Sequence, residues 1–431
     1  PPLSVSPSVP PSPALLPFGV GVDLSPLKAR SNMKIRIRDR DGYPRKIYIV
    51  GIYEHPCRAA LDKTLPQLHA EIAKGALADA GLSKDDVDAY FCAGDAPGLG
   101  PINMIEYMGL NNVRHMDSTE TGGSSYIVHV NHAAQAIAAG HCNVALITLA
   151  GRPVADAKEG KPVRYYNQQA PDFPFEMPYG PNVTNMYAMC AMRHMYEYGT
   201  TSEQLAWIKV AASHHAQHNE HARLRDVVTV EDVVNSPMIA DPLHRLDCCV
   251  ITDGGGGIVM VSPEVAKSLK RTRVKVLGAG EAPKHLAAGQ VDLTYSGARW
   301  SGPKAFAEAG VTPAEIKYAS VYDSFTITVL ETLEDLGFCK KGEGGKFVSD
   351  GNLISGVGKL PFNTDGGGLC NNHPGNRGGM TKVLEAVRQV RGEAHPKVQV
   401  RNCDIALAHG TGGLLGSRMG SATVILGNED A

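Results

Sequence analysis

Apolar runs of strand length that end in glycine, each followed by an alanine-rich helical stretch, occur twice in this chain. Ile47-Tyr48-Ile49 leads into Val50-Gly51, and Val274-Lys275-Val276 leads into Leu277-Gly278, 227 positions later. After the first helix, Gly81-Leu82-Ser83 runs to Asp86-Val87; after the second, Gly310-Val311-Thr312 runs to Glu315-Ile316, 229 later. Cys142-Asn143-Val144-Ala145-Leu146 returns as Cys403-Asp404-Ile405-Ala406-Leu407, 261 later. One such pair is chance. Three in register predict two copies of a strand–helix–strand–helix unit of the α/β kind, each opening with a β-strand.

The copies are separated by an insertion, roughly Arg152 to Cys248. Its start, Tyr165 to Tyr179, is rich in Pro, Gln and aromatics and reads as irregular loop. Further on, Thr201-Ser202-Glu203 makes an N-terminal cap for a helix over Leu205 to His218. That helix and its sequel carry Lys209, His214, His215, His218, His221, Arg223 and Arg225. They form either a cationic set for phosphates or a solvated helix face. The insertion ends at Asp253, followed by Gly254 to Gly257, a run so small that backbone must approach backbone or ligand.

The candidate chemistry starts at Asp117 to Tyr126, a Gly-rich turn that enters a small-residue helix over His129 to Gly140. Such a turn presents backbone N–H groups at a helix's positive end, where a thiolate or oxyanion is stabilised. No cysteine stands there; Gly123, Ser124 and Ser125 do. A serine accepts an acyl group only with a base beside it, and no Ser-His-Asp order is visible.

Composition narrows the classes. At 431 residues, two or three domains are expected. A net charge of -2 with 20% charged residues makes no case for nucleic acid, and no apolar run approaches the ~20 residues of a membrane span. The nine cysteines include the adjacent pair Cys248-Cys249 and no repeated Cys-x-x-Cys, which points to a reduced compartment and no metal. Pro1 to Pro17 is Ser/Pro-rich and the first acid is Asp23. Residues 1–32 read as the remnant of an organelle transit peptide, giving a mitochondrial or other matrix location, or as an extension with no address in a cytoplasmic protein.

Several spaced motifs resemble the thiolase superfamily, and within it the sterol-carrier-protein-type thiolases. They are Tyr196 to Leu205, His215-Ala216 with Asn219, and Pro242-Leu243 with Leu246-Asp247-Cys248-Cys249 and Asp253-Gly254. Asn363 to Gly375, with Asn372-His373-Pro374, resembles the family's Gly-His-Pro loop. The resemblance covers about Lys46 to Gly427. It implies a duplicated five-layered αβαβα fold with an inserted loop domain that binds coenzyme A. The expected layout is an extension (1–32), an N-terminal half (33–151 and 251–272), a loop domain (152–250) and a C-terminal half (273–431).

The family's nucleophilic Cys-x-Ser falls on Gly123-Ser124-Ser125, and its His-Asp-Cys-Phe on Tyr322-Asp323-Ser324-Phe325. Its Gly-His-Pro histidine is kept as His373, after Asn372, and its Cys-Gly-Gly-type segment falls on His409-Gly410-Thr411-Gly412. The resemblance thus implies a site without the usual cysteines. Tyr322 is then a donor to an enolate oxygen, or a proton shuttle if its pKa is lowered, and His373 a donor or base. Cys370 is a stand-in thiol, with Asn372 and His409 nearby. Lys209, His214, His215, His218, Arg223, Arg225, Gly254 and Gly255 are the coenzyme A candidates. The implied function is acyl-CoA chemistry of lipid metabolism that forms or cleaves a C–C bond beside the thioester, as an acyltransferase-like enzyme. The alternatives are a retro-aldolase or decarboxylase on a CoA thioester, residual thiolysis through Cys370 or free CoA, or an inactive CoA- or lipid-binding subunit. Coenzyme A is expected as substrate or product with no permanent cofactor. The expected partners are a second copy or a small OB-fold subunit.

Overall fold

The computed structural model describes residues 46–161, 171, 173–180, 182–285, 290–375, 377–416 and 418–431. The extension expected over residues 1–32, and the N-terminal half from 33 to 45, lie outside the described residues.

Eleven strands are described: β1 (Tyr48–Glu54), β2 (Ala89–Phe91), β3 (His115–Asp117), β4 (Val144–Gly151), β5 (Met238–Ala240), β6 (Leu243–His244), β7 (Gly254–Val261), β8 (Val274–Lys284), β9 (Tyr318–Val321), β10 (Ile405–Gly413) and β11 (Met419–Gly427). Nine of them follow one order, β3-β2-β4-β7-β1-β8-β11-β10-β9, and β5 and β6 form a separate hairpin. The duplication is explicit here. β1 runs antiparallel to β7, β7 to β4, and β4 parallel to β2. β8 runs antiparallel to β11, β11 to β10, and β10 parallel to β9. The two opening strands meet antiparallel over only Tyr48↔Lys275 and Ile49↔Val274.

Helices of ten residues or more are α1 (Leu65–Ala80), α2 (Ser125–Ala138), α3 (Val183–Tyr198), α4 (Ser202–Ala216), α5 (Ala298–Ala309), α6 (Thr326–Asp335) and α7 (Gly379–Arg391). Side chains alternate across a strand, so each sheet has two apolar faces to cover. Ile49 and Ile52 of β1, with Ala408, Val424 and Leu426 of the second copy, pack on α2 and α7 in one central core. Tyr48 and Val50 face α1 instead, while Leu407 and Ile425 face Ala298, Ala305 and Phe306 of α5. The layers are therefore α1, first sheet, α2 with α7, second sheet, α5, the expected αβαβα order.

The repeated glycines have one physical cause. A Cβ on Gly51 would lie 2.3 Å from the Ala76 carbonyl of α1, and one on Gly278 2.4 Å from the Ala305 carbonyl of α5. Each outer helix sits directly on the glycine of its opening strand. Gly81 (φ 72°) and Gly310 (φ 69°) close those helices in the left-handed region. Each is followed by a short turn, held by Ser83 with Asp86 and by Thr312 with Glu315.

In the insertion, Thr201 caps α4 and Gln204, rather than Glu203, completes the capping box. The irregular start needs correction: Phe173–Glu176 is a helical turn and Met177–Tyr179 a 3₁₀ turn. Pro178 lies in the first turn of the latter, where its missing N–H costs nothing. Residues 165–170 and 172 lie outside the described residues. Tyr187, Cys190, Leu205 and Ile208 of the insertion pack against Ile327, Leu330 and Leu333 of α6.

Candidate active site

The site forms where the ends of β9 and β10 meet the start of α2. Tyr322 follows β9 directly, and its N–H donates to the carbonyl of His409 on β10 (3.0 Å). Asp323 accepts N–H groups from Gly368 (2.8 Å) and Leu369 (3.1 Å), and the Lys382 ammonium of α7 lies 2.8 Å away. The two N–H bonds tie the loop that leads to His373 to the end of β9, and the buried ion pair ties α7 there as well. The Tyr322 hydroxyl and His373 Nε2 are 2.7 Å apart. Both side chains are buried, each residue 4% exposed.

Burial raises the Tyr322 hydroxyl well above its usual 10, against a backbone hydrogen bond from Gly378 that lowers it. Burial likewise holds His373 down at about 4, opposed by Asp323 and reinforced by Lys382. The pair is therefore a neutral phenol on a neutral imidazole. This corrects the expectation of a proton shuttle with a lowered phenol pKa: removing charge-stabilising water works the other way.

The Gly-rich turn explains itself sterically. A Cβ on Gly123 would lie 2.7 Å from ring carbons of Tyr322 and 2.3 Å from the Thr411 carbonyl. The Tyr322 ring fills the space into which a side chain at 123 would grow. The neighbouring Ser124 and Ser125 hydroxyls are engaged within their own turn. Ser124 Oγ donates to the Thr121 carbonyl (2.8 Å), and Ser125 Oγ accepts from the Thr121 N–H (2.8 Å). Glu120 accepts from the N–H groups of Gly122 (2.7 Å) and Gly94 (2.6 Å) and from Arg377 (2.8 Å), fixing the turn from outside.

Other candidates are not brought to this point. Cys370 Sγ lies against the Lys209 ammonium (3.2 Å), which also donates to the Leu369 carbonyl (2.7 Å). Both residues are about 1% exposed. Cys370 is thus a buried thiol with its own partner. Lys209 faces inward and is not a phosphate ligand. His409 follows strand alternation: it shares the face of Leu407, bonds Thr423 through Nδ1 (2.8 Å), and Thr423 meets Ser301 of α5 (2.9 Å). It points to the outer helix, away from Gly123, and burial holds it near 3. His215 is 1% exposed and accepts the Ser355 N–H through Nε2 (2.9 Å), so it is structural. Gly254 and Gly255 lie inside the sheet, where a Cβ would meet the carbonyls of Cys57 (2.6 Å) and Leu149 (2.0 Å). Their smallness serves backbone packing rather than a ligand.

Arg223 and Arg225 are exposed, and His214 and His218 half-buried. His218 stacks on His395 (5.1 Å between centroids) beside a cavity of about 220 Å³. Glu54, Glu220, Asp365, Glu385 and Glu393 line that cavity too, a poor setting for phosphate.

Two neighbours of His373 are not among the sequence candidates: Cys249 stands there only as part of the motif after Pro242, and Thr252 is not singled out. Cys249 Sγ lies 3.6 Å from His373 Nδ1, and Thr252 Oγ1 accepts the His373 N–H (2.8 Å). Both belong to the segment that returns from the insertion to β7. The signals were the motif from Leu246 to Cys249 and the glycine run that follows it.

Fold and site together define a thiolase-fold protein whose helix-start turn presents glycine and whose β9 end presents a phenol. Residues 280–428 match the family described as "Thiolase C-terminal domain-like". The chain is 32% identical over 385 residues to an acetyl-CoA acetyltransferase of Methanothermobacter thermautotrophicus, covering 86% of this chain and 98% of that one. It is 35% identical over 338 residues to a steroid side-chain-cleaving aldolase of Thermomonospora curvata, covering 76% and 85%. The solved Ltp2-ChsH2(DUF35) aldolase superposes with a TM-score of 0.79 at 30% identity, over 91% of this chain and 99% of that one. The chain belongs to the thiolase superfamily, among its sterol-carrier-protein-type members.

Proposed function

We propose that this protein cleaves or forms a carbon–carbon bond beside a coenzyme A thioester by retro-aldol chemistry, without a covalent acyl-enzyme. The 2.7 Å contact between Tyr322 and His373, built over Gly123, carries this reading. In the cleavage direction the substrate is a 3-hydroxyacyl-CoA. Its hydroxyl proton passes to Tyr322 as the Tyr322 proton passes to His373 Nε2. The C–C bond breaks, the carbonyl product leaves, and the bond's electrons become the thioester enolate. Return of a proton from the imidazolium to the enolate carbon, through Tyr322, completes the turnover. A neutral imidazole and a neutral phenol are the forms this sequence needs at the start. Backbone N–H groups at the start of α2 supply the preorganised dipole for the enolate oxygen. The aldolase relatives support the choice of reaction, and the two named components of the Ltp2-ChsH2(DUF35) aldolase support a partner subunit. Coenzyme A binds as part of the substrate and leaves with the product.

The test is incubation of the protein with 3-hydroxyacyl-CoA, acetoacetyl-CoA and malonyl-CoA, alone and with a co-expressed partner subunit. Aldehyde or ketone release from the 3-hydroxy substrate is expected. Removing one such donor costs ~10²–10³ in turnover, so Tyr322→Phe should lose about that factor while calorimetry shows CoA binding retained. Full activity in Tyr322→Phe, or an acyl group on Ser124 or Ser125 by mass spectrometry, overturns the reading.

A further inference from the structure

His373 is held by more than its ring. Its backbone N–H donates to Thr252 Oγ1 (2.8 Å), and that hydroxyl donates to Asn372 Oδ1 (2.7 Å). Asn372 Nδ2 in turn donates to Glu54 Oε1 at the end of β1 (3.1 Å). Thr252, Asn372 and His373 are buried, and the Glu54 side chain is 7% exposed. Glu54 is fixed by three more donors: Arg58 (2.8 Å), Asn371 (3.1 Å) and Arg388 (3.0 Å). Burial would raise its carboxyl, but Arg58 and Arg388 hold it down at about 2, so the anion persists at any working pH. The segment bearing Thr252 is sewn across the site as well. The Cys249 N–H donates to the Ser324 carbonyl and the Val250 N–H to the Gly368 carbonyl, both at 2.9 Å. Thr252 pairs with Pro374 as a β-bridge.

We propose that Glu54, Asn372 and Thr252 form a positioning relay, by which an anion of the first copy sets where the His373 imidazole stands against Tyr322. Thr252 and Asn372 act through the backbone of the His373 loop rather than through its ring. The geometry requires a group that both accepts and donates at position 252, since the His373 N–H and the Asn372 carbonyl oxygen converge on it. A hydroxyl does this; a methyl of the same size cannot. Misplacing a reacting group by ~1 Å can cost ~10²-fold in rate.

The effect on turnover rests on the function proposed above, so the experiment has a second readout that does not. Thr252→Val, Thr252→Ser and Glu54→Gln are compared with wild type for kcat and KM on the consumed 3-hydroxyacyl-CoA. The His373 ring ¹⁵N shifts are followed in parallel, assigned with His373→Gln. Thr252→Val is expected to lower kcat at least ~10-fold with KM changed less than about twofold, and to shift the His373 ring resonances. Thr252→Ser should restore both. Glu54→Gln, which keeps shape and removes charge, should move them in the same direction as Thr252→Val, and it decides the matter if Thr252→Val does not fold. Unmoved ring resonances in folded Thr252→Val, or a Thr252→Ser variant as impaired as Thr252→Val, overturn the relay. Absence of turnover in wild type would overturn the functional reading alone, leaving the resonances to decide the relay.

Discussion

At the residue scale, one steric relation organises the site. Tyr322 and Gly123 occupy each other's space: the ring fits only because 123 lacks a Cβ, and a side chain at 123 fits only if the ring is elsewhere. A nucleophile on the first copy and a phenol on the second are alternatives, not additions. The buried thiol of Cys370 does not break that alternation, since burial raises it and its only described polar contact is Lys209. Cys370→Ala is therefore expected to keep turnover within about twofold while lowering thermal stability, because a packed buried group is lost. Loss of turnover in a Cys370→Ala protein that still binds CoA would place a thiol in the reaction.

At the element scale, the two copies share a strand–helix contact rather than a surface pattern. α1 and α5 each lie on a glycine of the opening strand, Gly51 and Gly278. A methyl added there meets helix backbone, which cannot rotate away as a side chain can. Gly278→Ala should cost about 1–3 kcal/mol of stability, the usual range for overpacking, measured by urea unfolding. An equal midpoint for variant and wild type would show that α5 can lift from β8. The same logic at the centre explains α2. It is buried along nearly its whole circumference between the sheets, so alanines, valines and isoleucines replace the polar face of a surface helix.

For the whole molecule, layering puts ionisable groups where water does not reach, and this sets the response to pH. Burial holds His129, His215 and His373 at about 4 and His409 at about 3, against ~6.5 in an unfolded chain. As pH falls, the unfolded chain takes up these protons first. Stability should drop from pH ~6.5 down to ~4, by up to ~1.4 kcal/mol per pH unit for each histidine. His132 runs the other way. Its bond to Asp117 and its contact with Glu281 raise it to about 9, so its contribution is complete below pH ~6.5 and is lost as pH rises through 9. Unfolding midpoints in urea at pH 5, 6 and 7.5 test the first trend. Midpoints that do not fall between 7.5 and 5 would mean these histidines are hydrated in solution.

The sequence by itself determined the duplication and the position of the cap at Thr201, because these rest on local regularities: strand and helix periods, glycine closures, and hydroxyl spacing from the helix start; the αβαβα order came only with the family resemblance. It also pointed to Tyr322 and His373, through motifs short enough to survive as motifs. Tertiary structure alone decided which residues stand beside them. Lys209, His215 and His409 look like any other cations or histidines in a string of letters, yet a helix face or a strand's alternation turns each inward or outward. Glu54, Cys249 and Thr252 lie far from His373 along the chain, and the motif that holds Cys249 does not say what it stands beside. Only the packing of the first copy against the second brings them to it, and with them the hydrogen bonds that fix its loop.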